Sequence, residues 1–287
     1  MSDKNTFFHQ KLTLNVRGRL LDLSSPKVMG IVNITPDSFY DGGETLTIDK
    51  ALEQTGKMLE EGATFIDIGA YSSRPNAQHI SSEEEIERLI PALTAIVKEY
   101  PEAIISIDTF RAAVAKAAVE SGAHIINDIS GGEMDEDMFR TAADLQVPYI
   151  LMHMKGTPQT MVSESQYSDI FDEVYQYFVT RIHTLKQLGV IDIILDPGFG
   201  FAKTADQSFE LLGKMDQFKL LELPVLAGMS RKSMISKTLN TTAELALNGT
   251  TVANTIALLK GAKILRVHDV KEAMEAITIV EKTNASL

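Results

Sequence analysis

The chain has 287 residues, of which 44% are hydrophobic and 23% charged, a balance typical of a globular protein with a sizeable core. The formal net charge of -12 disfavours a nucleic-acid binder, because such proteins gain affinity by neutralising phosphates with lysine and arginine. There is no cysteine, so disulfides and thiolate chemistry are excluded. No apolar stretch approaches the roughly 18 residues of a membrane span, and residues 1–10 are polar, so we expect a cytoplasmic protein that does not bind membranes.

Short apolar runs that end at polar side chains recur along the chain. A predicted hairpin over residues 11–23 comes first, since hydrophobic residues alternate before an Arg17-Gly18 turn. Eight predicted strands follow, over residues 28–32, 64–68, 104–107, 125–127, 149–152, 193–195, 225–227 and 264–267. Eight runs with polar carboxyl ends predict an α/β fold, a single (β/α)8 TIM barrel whose chemistry lies on one rim. We expect one domain over residues 1–287, with the N-terminal β-hairpin at 11–23 and the barrel at 28–280.

The ends of the helices between these strands can also be predicted. Glycines stand a few residues before four of the strands, where a left-handed residue commonly ends a helix: Gly62, Gly122, Gly189 and Gly261. Residues 82–85 (Ser-Glu-Glu-Glu) predict a capping box that starts a helix, which Pro91 should interrupt. Other helices are predicted over residues 110–121, 169–188 and 247–260. Long loops over residues 35–47 and 154–168 are expected to supply substrate contacts.

Three polar side chains at strand ends form the first candidate site. Asp108, Asn127 and Asp196 follow the third, fourth and sixth predicted strands, so closure of the barrel should gather them around one cavity. A buried acceptor without a partner costs about 1–3 kcal/mol, which predicts a ligand or internal partners for these groups. A flat heterocycle with an amino group beside a ring N–H would suit them, because one carboxylate can accept from both donors. Alternatively, individual members cap loops or pair with lysines.

Basic side chains also cluster just after predicted strands. They are Arg74, Arg231, Lys232, Arg266 and His268. In an acidic protein such a rim can focus a small anion, although each residue alone is better explained as a solvated surface charge. Lys232 precedes a predicted helix start at Ser233, whose free N–H groups attract carboxylate or phosphate, but a lysine here could also be a Schiff-base nucleophile.

Two further features leave alternatives open. Phe201 follows a glycine-hinged turn after the sixth predicted strand and is either an aromatic wall of the site or a buried anchor of its loop. His153 and His268 end strands, but no second ligand lies at metal-binding spacing from either, so zinc is not expected.

Seven segments, in the same order along the chain, resemble the dihydropteroate synthase family. They are residues 33–43 (Asn-Ile-Thr-Pro-Asp-Ser-Phe-Tyr-Asp-Gly-Gly), 72–75 (Ser-Ser-Arg-Pro), Asp108, 127–128 (Asn-Asp), 195–201 (Leu-Asp-Pro-Gly-Phe-Gly-Phe), 230–232 (Ser-Arg-Lys) and 266–270 (Arg-Val-His-Asp-Val). The resemblance implies a TIM barrel of folate biosynthesis, usually homodimeric and a target of sulfonamides. Such an enzyme joins p-aminobenzoate to 6-hydroxymethyl-7,8-dihydropterin diphosphate and releases pyrophosphate.

The resemblance also implies roles for individual residues. Contacts to the pterin ring are expected from Asp108, Asn127, Asp196 and Lys232. Contacts to the diphosphate are expected from Asn33, Arg74, Arg266 and His268, with Asn33 also a ligand of Mg²⁺. The p-aminobenzoate pocket would be built from Phe39, Ser73, Pro75, Phe201, Lys232 and Ser233. Catalytic roles are expected for Asp41, Ser73, Arg74 and Lys232.

The chain departs from the family pattern at two places. Residues 70–76 read Ala-Tyr-Ser-Ser-Arg-Pro-Asn where the family commonly has Gly-Glu-Ser-Thr-Arg-Pro-Gly, so Tyr71 replaces an acid and puts the conformation of this loop in question. Ala202 stands where glycine is frequent, and should stiffen its turn.

Three other functions compete with the synthase. They are a pterin-binding methyltransferase that serves a corrinoid, a catalytically silent pterin-binding barrel and a Schiff-base aldolase centred on Lys232. Arg266 and His268 favour the synthase over the methyltransferase, because methyl transfer has no diphosphate to hold.

Overall fold

A two-stranded hairpin precedes the barrel in the computed structural model, which describes residues 11–34, 44–72, 79–161 and 163–285. β1 (Thr13–Val16) and β2 (Arg19–Asp22) pair antiparallel, joined by two residues of positive φ, Arg17 (50°) and Gly18 (80°). That geometry matches the twist of a two-residue hairpin turn. The hairpin buries apolar side chains against residues from the beginnings of barrel strands, among them Phe65 and Ile125. It therefore covers the amino end of the barrel, away from the candidate site.

The eight predicted strands form one parallel sheet. They are β3 (Lys27–Asn33), β4 (Phe65–Gly69), β5 (Ile104–Asp108), β6 (Ile125–Asp128), β7 (Tyr149–Met152), β8 (Ile193–Asp196), β9 (Leu226–Ala227) and β10 (Ile264–Val267). Their order is β8-β7-β6-β5-β4-β3-β10-β9, and a parallel bridge between Leu195 and Val225 brings the two edges together. The (β/α)8 prediction is confirmed.

Helices connect the strands and cover the outside of the barrel. They are α1 (Glu44–Glu60), α2 (Ser82–Glu99), α3 (Ala112–Glu120), α4 (Met138–Leu145), α5 (Ile170–Leu188), α6 (Ala205–Gly213), α7 (Ser233–Thr238), α8 (Leu247–Leu259) and α9 (Val270–Asn284), with a 3-10 helix at Met215–Leu221. All four predicted glycine ends have positive φ, between 94° and 119°. Within the described ranges, every helix is too short or too polar to cross a lipid bilayer.

Two predictions about α2 are wrong. Its cap is Ser81, whose hydroxyl accepts from the Glu84 amide at 3.2 Å, one residue before the predicted position. Glu85, the expected partner in the capping box, is fully buried and binds Thr109 and Arg111 instead, because a buried guanidinium requires a carboxylate partner. The helix also continues through Pro91, since its buried apolar face holds it against the barrel.

The predicted loop after β3 is shorter than expected. α1 begins at Glu44, inside the predicted loop of residues 35–47. The site predictions Phe39 and Asp41 in this loop, and Ser73, Arg74 and Pro75 after β4, lie outside the described residues.

Candidate active site

Side chains from four strands meet in one hydrogen-bonded cluster around Arg266. Its Nε donates to Oδ2 of Asp67 and its Nη2 donates to Oδ2 of Asp108, each at 2.6 Å. The same Asp67 oxygen accepts from Nδ2 of Asn127 at 2.9 Å. β10, β4, β5 and β6 thus place one cation, two carboxylates and an amide in direct contact.

The members of this cluster are buried to different extents, and burial shifts the pKa values of Asp108 and Arg266. Asp67 is fully buried, and its second oxygen, Oδ1, has no partner among the described residues. Burial raises the pKa of Asp108 to about 7, against the opposing charge of Arg266. Burial alone would lower the pKa of Arg266, but the two carboxylates outweigh it and keep the guanidinium charged. Its remaining nitrogen, Nη1, donates to none of the described residues and is left for a ligand.

Asp196 and Lys232 face each other across the turn that follows β8. Oδ1 of Asp196 accepts from the Gly198 amide at 2.8 Å, and burial raises the pKa of this carboxyl. Nζ of Lys232 donates to the Phe199 carbonyl at 2.6 Å and lies 4.5 Å from the centre of the Phe201 ring. Burial lowers the pKa of Lys232 to about 8, while Asp196 favours its charged form. Phe199 is the buried anchor of this turn and Phe201, half-buried, forms a wall beside the lysine.

His268 lies at the mouth of the site, where its Nδ1 is 3.0 Å from the Ser230 hydroxyl. The protein around its ring and the charge of Arg266 lower its pKa to about 4, so the imidazole is neutral at pH 7. Arg231, in contrast, is taken up by Asp269 through two bonds of 2.8 and 2.7 Å. It joins the loops after β9 and β10 and does not add a free charge to the rim.

Known proteins match both the sequence and the structure. A sequence profile described as pterin binding enzyme matches residues 29–268. The dihydropteroate synthase of Escherichia coli (strain K12) is 43% identical over 274 residues, which cover 95% of this chain and 96% of the relative. The chain belongs to the dihydropteroate synthase family of pterin-binding enzymes. The predicted family is confirmed.

Solved structures agree with this membership. The Yersinia pestis dihydropteroate synthase in complex with a sulfonamide drug has a TM-score of 0.89 and 41% identity, over 95% of this chain and 99% of that one. The Xanthomonas albilineans dihydropteroate synthase with 4-aminobenzoic acid has a TM-score of 0.89 and 38% identity, over 96% and 98%.

Two further predicted residues of the family pattern, Asn33 and Ser233, lie on the same rim. Asn33 ends β3, half-buried, in register with Gly69 of β4. Ser233 is the exposed first residue of α7, directly after Lys232. Asp128, adjacent to Asn127, is occupied by the Ser130 and Gly132 amides and the Tyr149 hydroxyl, so it shapes its own loop.

Tyr71 replaces the acid of the dihydropteroate synthase pattern and packs in a second cluster, separate from that of Arg266. Its ring meets that of Phe110 edge-on at 5.0 Å, and Arg111 lies 5.2 Å from the ring centre. Its hydroxyl accepts from Nε2 of Gln159 at 3.0 Å and lies 3.4 Å from Nδ1 of His79. Tyr71 therefore joins the loops that follow β4, β5 and β7.

Asp67 is the site residue that sequence reasoning missed. The sequence analysis gives it no role, although it binds both Arg266 and Asn127. A signal was present, because a carboxylate inside the apolar run 65–68 is rarely buried without a partner.

Proposed function

We propose that the chain condenses p-aminobenzoate with 6-hydroxymethyl-7,8-dihydropterin diphosphate, giving 7,8-dihydropteroate and pyrophosphate. The observation that supports it best is the contact of Arg266 with Asp67 and Asp108, on the rim that also holds Asp196 and Lys232. This rim offers acceptors to a flat heterocycle and donors to an anion attached to it. The Xanthomonas albilineans relative was solved with 4-aminobenzoic acid, the second substrate of this reaction.

The pterin ring would be held by its polar edge. One oxygen of Asp196 caps the Gly198 amide, and the other, Oδ2, accepts from none of the described residues, so it can take the amino group and ring N–H of a pterin. Nδ2 of Asn127 is bound to Asp67, which leaves the amide oxygen as a second acceptor. Lys232 supplies a donor for an acceptor atom of the ring.

The diphosphate would lie beside the ring, near Arg266 and His268. Nη1 of Arg266 can donate to a phosphate oxygen without releasing either carboxylate. His268 is neutral before the substrate arrives, and an anion next to it would raise its pKa and strengthen the contact. Arg74, outside the described residues, is proposed as the third diphosphate contact.

Magnesium fits this site through Asn33, whose amide oxygen is a hard ligand of the kind that Mg²⁺ accepts. No three His, Asp or Glu side chains cluster as a metal site in the described ranges, so the ion would take its other ligands from diphosphate and water. When bound, it neutralises charge that develops on the departing diphosphate.

The reaction is proposed to be SN1-like. The carbon–oxygen bond at the exocyclic methylene breaks, its electron pair stays with the diphosphate, and the ring shares the positive charge left on carbon. The amine lone pair of p-aminobenzoate then forms the carbon–nitrogen bond, and the nitrogen loses a proton to the released pyrophosphate. Asp108 and Asp196 stabilise the cation electrostatically, and Arg266 and His268 stabilise the leaving group. Phe201, Lys232 and Ser233 would border the aniline ring.

The test is a pyrophosphate-release assay with both substrates and with each omitted in turn. Release that needs both substrates, together with formation of dihydropteroate, supports the proposal. Release without p-aminobenzoate would identify the chain as a hydrolase and reject it.

We also propose a homodimer. α8 presents apolar side chains at helical spacing to the outside, Val252, Ile256 and Leu259, and Leu245 precedes them; all are exposed in the single chain. The cytoplasmic location and the lack of nucleic-acid partners stay predictions.

A further inference from the structure

Lys203 follows β8 and is buried. Its ammonium binds His153 and backbone carbonyls rather than the proposed substrate-binding side chains. Nζ of Lys203 lies 2.8 Å from Nδ1 of His153, 3.0 Å from the Gly198 carbonyl and 3.0 Å from the Phe201 carbonyl. A fourth, longer contact reaches the His153 carbonyl at 3.2 Å. An ammonium has three N–H donors, so the three nearest acceptors match its full donor set.

The surroundings of Lys203 are costly for a charge. All four acceptors are uncharged, and burial lowers the pKa of Lys203 well below its usual range. Burial also lowers the pKa of His153, so its ring is neutral and its Nδ1 can accept. An unbranched apolar side chain would fill the same space without desolvating a cation. The presence of a lysine at this position is therefore explained by the structure that its hydrogen bonds stabilise.

The hydrogen bonds of Lys203 hold the turn of residues 197–202, which we call the β8 turn. Gly198, Gly200 and Ala202 have positive φ (67°, 77° and 48°), a conformation that is unfavourable for alanine. Between these ends, Phe201 N donates to the Gly198 carbonyl at 3.0 Å. Lys203 adds hydrogen bonds to two carbonyls of this strained segment, those of Gly198 and Phe201.

The β8 turn also contacts Lys232. The Phe199 carbonyl accepts from Nζ of Lys232, and the Phe201 ring lies against the same ammonium. Asp196, at the start of the turn, is capped by its Gly198 amide. The buried Lys203 and the proposed catalytic Lys232 thus bind different carbonyls of the same turn.

We propose that Lys203 is a positioning residue, which fixes the β8 turn between His153 and Lys232 and so sets the position of the Lys232 ammonium. It touches no substrate in this scheme. The consequence for catalysis rests on the proposed function, whereas the effect on Lys232 does not.

The first test measures Lys232 without substrates. Lys203→Met should loosen the turn and admit water to Lys232, whose pKa of about 8 is set by burial and by the facing groups Asp196, Arg266 and Asp108. The pH midpoint for acylation of Lys232 by acetic anhydride, read by peptide mass spectrometry, should rise by about one pH unit or more as desolvation is relieved.

Lys263→Met is the matched control. Lys263 precedes β10 at the amino end of the barrel, where it is partly buried and donates to the Ser24 carbonyl at 3.3 Å, and burial lowers its pKa as it does that of Lys203. Its loss should leave the midpoint of Lys232 unchanged. Lys203→Gln removes the same charge as Lys203→Met but keeps an N–H donor for the turn. The loss of a neighbouring positive charge is therefore common to both variants, and a midpoint closer to wild type in Lys203→Gln than in Lys203→Met is the result expected from positioning.

The second test uses the pyrophosphate-release assay. Lys203→Met should raise KM for the pterin diphosphate and lower kcat/KM by about tenfold or more, a loss of roughly 1.4 kcal/mol in transition-state stabilisation. An unchanged Lys232 midpoint and unchanged KM in a variant that only melts earlier would overturn the proposal. If wild type releases no pyrophosphate, the proposed function fails, and the acylation midpoints still decide the role of Lys203.

Discussion

Arg266 uses different nitrogens of one guanidinium for the fold and for a ligand. Nε and Nη2 bind Asp67 and Asp108, and without them two carboxylates would repel each other inside the barrel. Nη1 points to no described partner, so it can meet a phosphate oxygen at no cost to the pair. The planar, five-donor guanidinium allows this division, whereas a lysine would have to exchange one partner for another.

Asp108 makes the stability of the fold depend on pH. Its pKa is about 7 in the folded chain and near 3.8 when unfolded, so between these values the native state keeps a proton that the unfolded state has released. The stabilisation from this group is therefore present at low pH and is lost as the pH rises through 7. Asp108→Asn cannot lose this contribution. We therefore expect its free energy of unfolding, relative to that of wild type, to be higher at pH 8 than at pH 5.

Urea unfolding of both proteins at pH 5 and pH 8 measures this difference. The comparison with wild type at each pH cancels the titration of other acids, such as Asp196 and Glu85, whose pKa values are also raised by burial. A difference in free energy of unfolding that is the same at both pH values would show that Asp108 does not titrate in this range.

The loops after β4, β5 and β7 depend on one another through Tyr71. A glutamate, common at this position in the family, could not form the edge-on contact with Phe110, and Arg111 is already paired with Glu85. The tyrosine replaces a charge with an aromatic contact and a hydrogen bond to Gln159. The altered motif is thus accommodated by the packing of its neighbours.

A double-mutant cycle with Tyr71→Phe and Gln159→Ala tests this connection. Tyr71→Phe removes only the hydroxyl, so we expect a loss of about 0.5–1.5 kcal/mol in the free energy of unfolding. If the hydrogen bond joins the two loops, the effects of the two substitutions will be less than additive. Full additivity would mean that the two side chains act independently. Tyr71→Ala, which also removes the ring, should cost about 3–5 kcal/mol.

The elements were predictable where local sequence decides them. Strands buried on both faces are continuous apolar runs, and helix ends such as Gly189 need a left-handed residue, so both have a sequence signature. The cap of α2 was misplaced by one residue because Glu85 serves a tertiary contact. The sequence signals that Asp67 needs a partner, but it does not identify Arg266, 199 residues away. Lys203 was not assigned because its side-chain partner His153 is 50 residues away and because backbone carbonyls, its other acceptors, have no sequence signature.

At the scale of the whole molecule, the barrel separates its tasks between its two ends. The hairpin and the first residues of the strands form an apolar plug at one end, while charged and amide side chains occupy the other. The net charge of -12 does not prevent an anion site, because the rim cations are close to the site and most surface acids are screened over about 10 Å at 0.1 M salt. The single-domain organisation stays a prediction.

The apolar face of α8 predicts how two copies meet. Val252, Ile256 and Leu259 lie three or four residues apart on one stripe, with 54%, 39% and 60% of their surface exposed. A contiguous exposed apolar stripe is a feature of protein–protein interfaces. We expect light scattering to give twice the 31.6 kDa chain mass. Val252→Glu should shift the mass toward one chain, because a charge buried in the interface would be desolvated. Val179→Glu, at an exposed valine on α5, is the control and should stay dimeric. A wild-type protein of single-chain mass at micromolar concentration would contradict the homodimer.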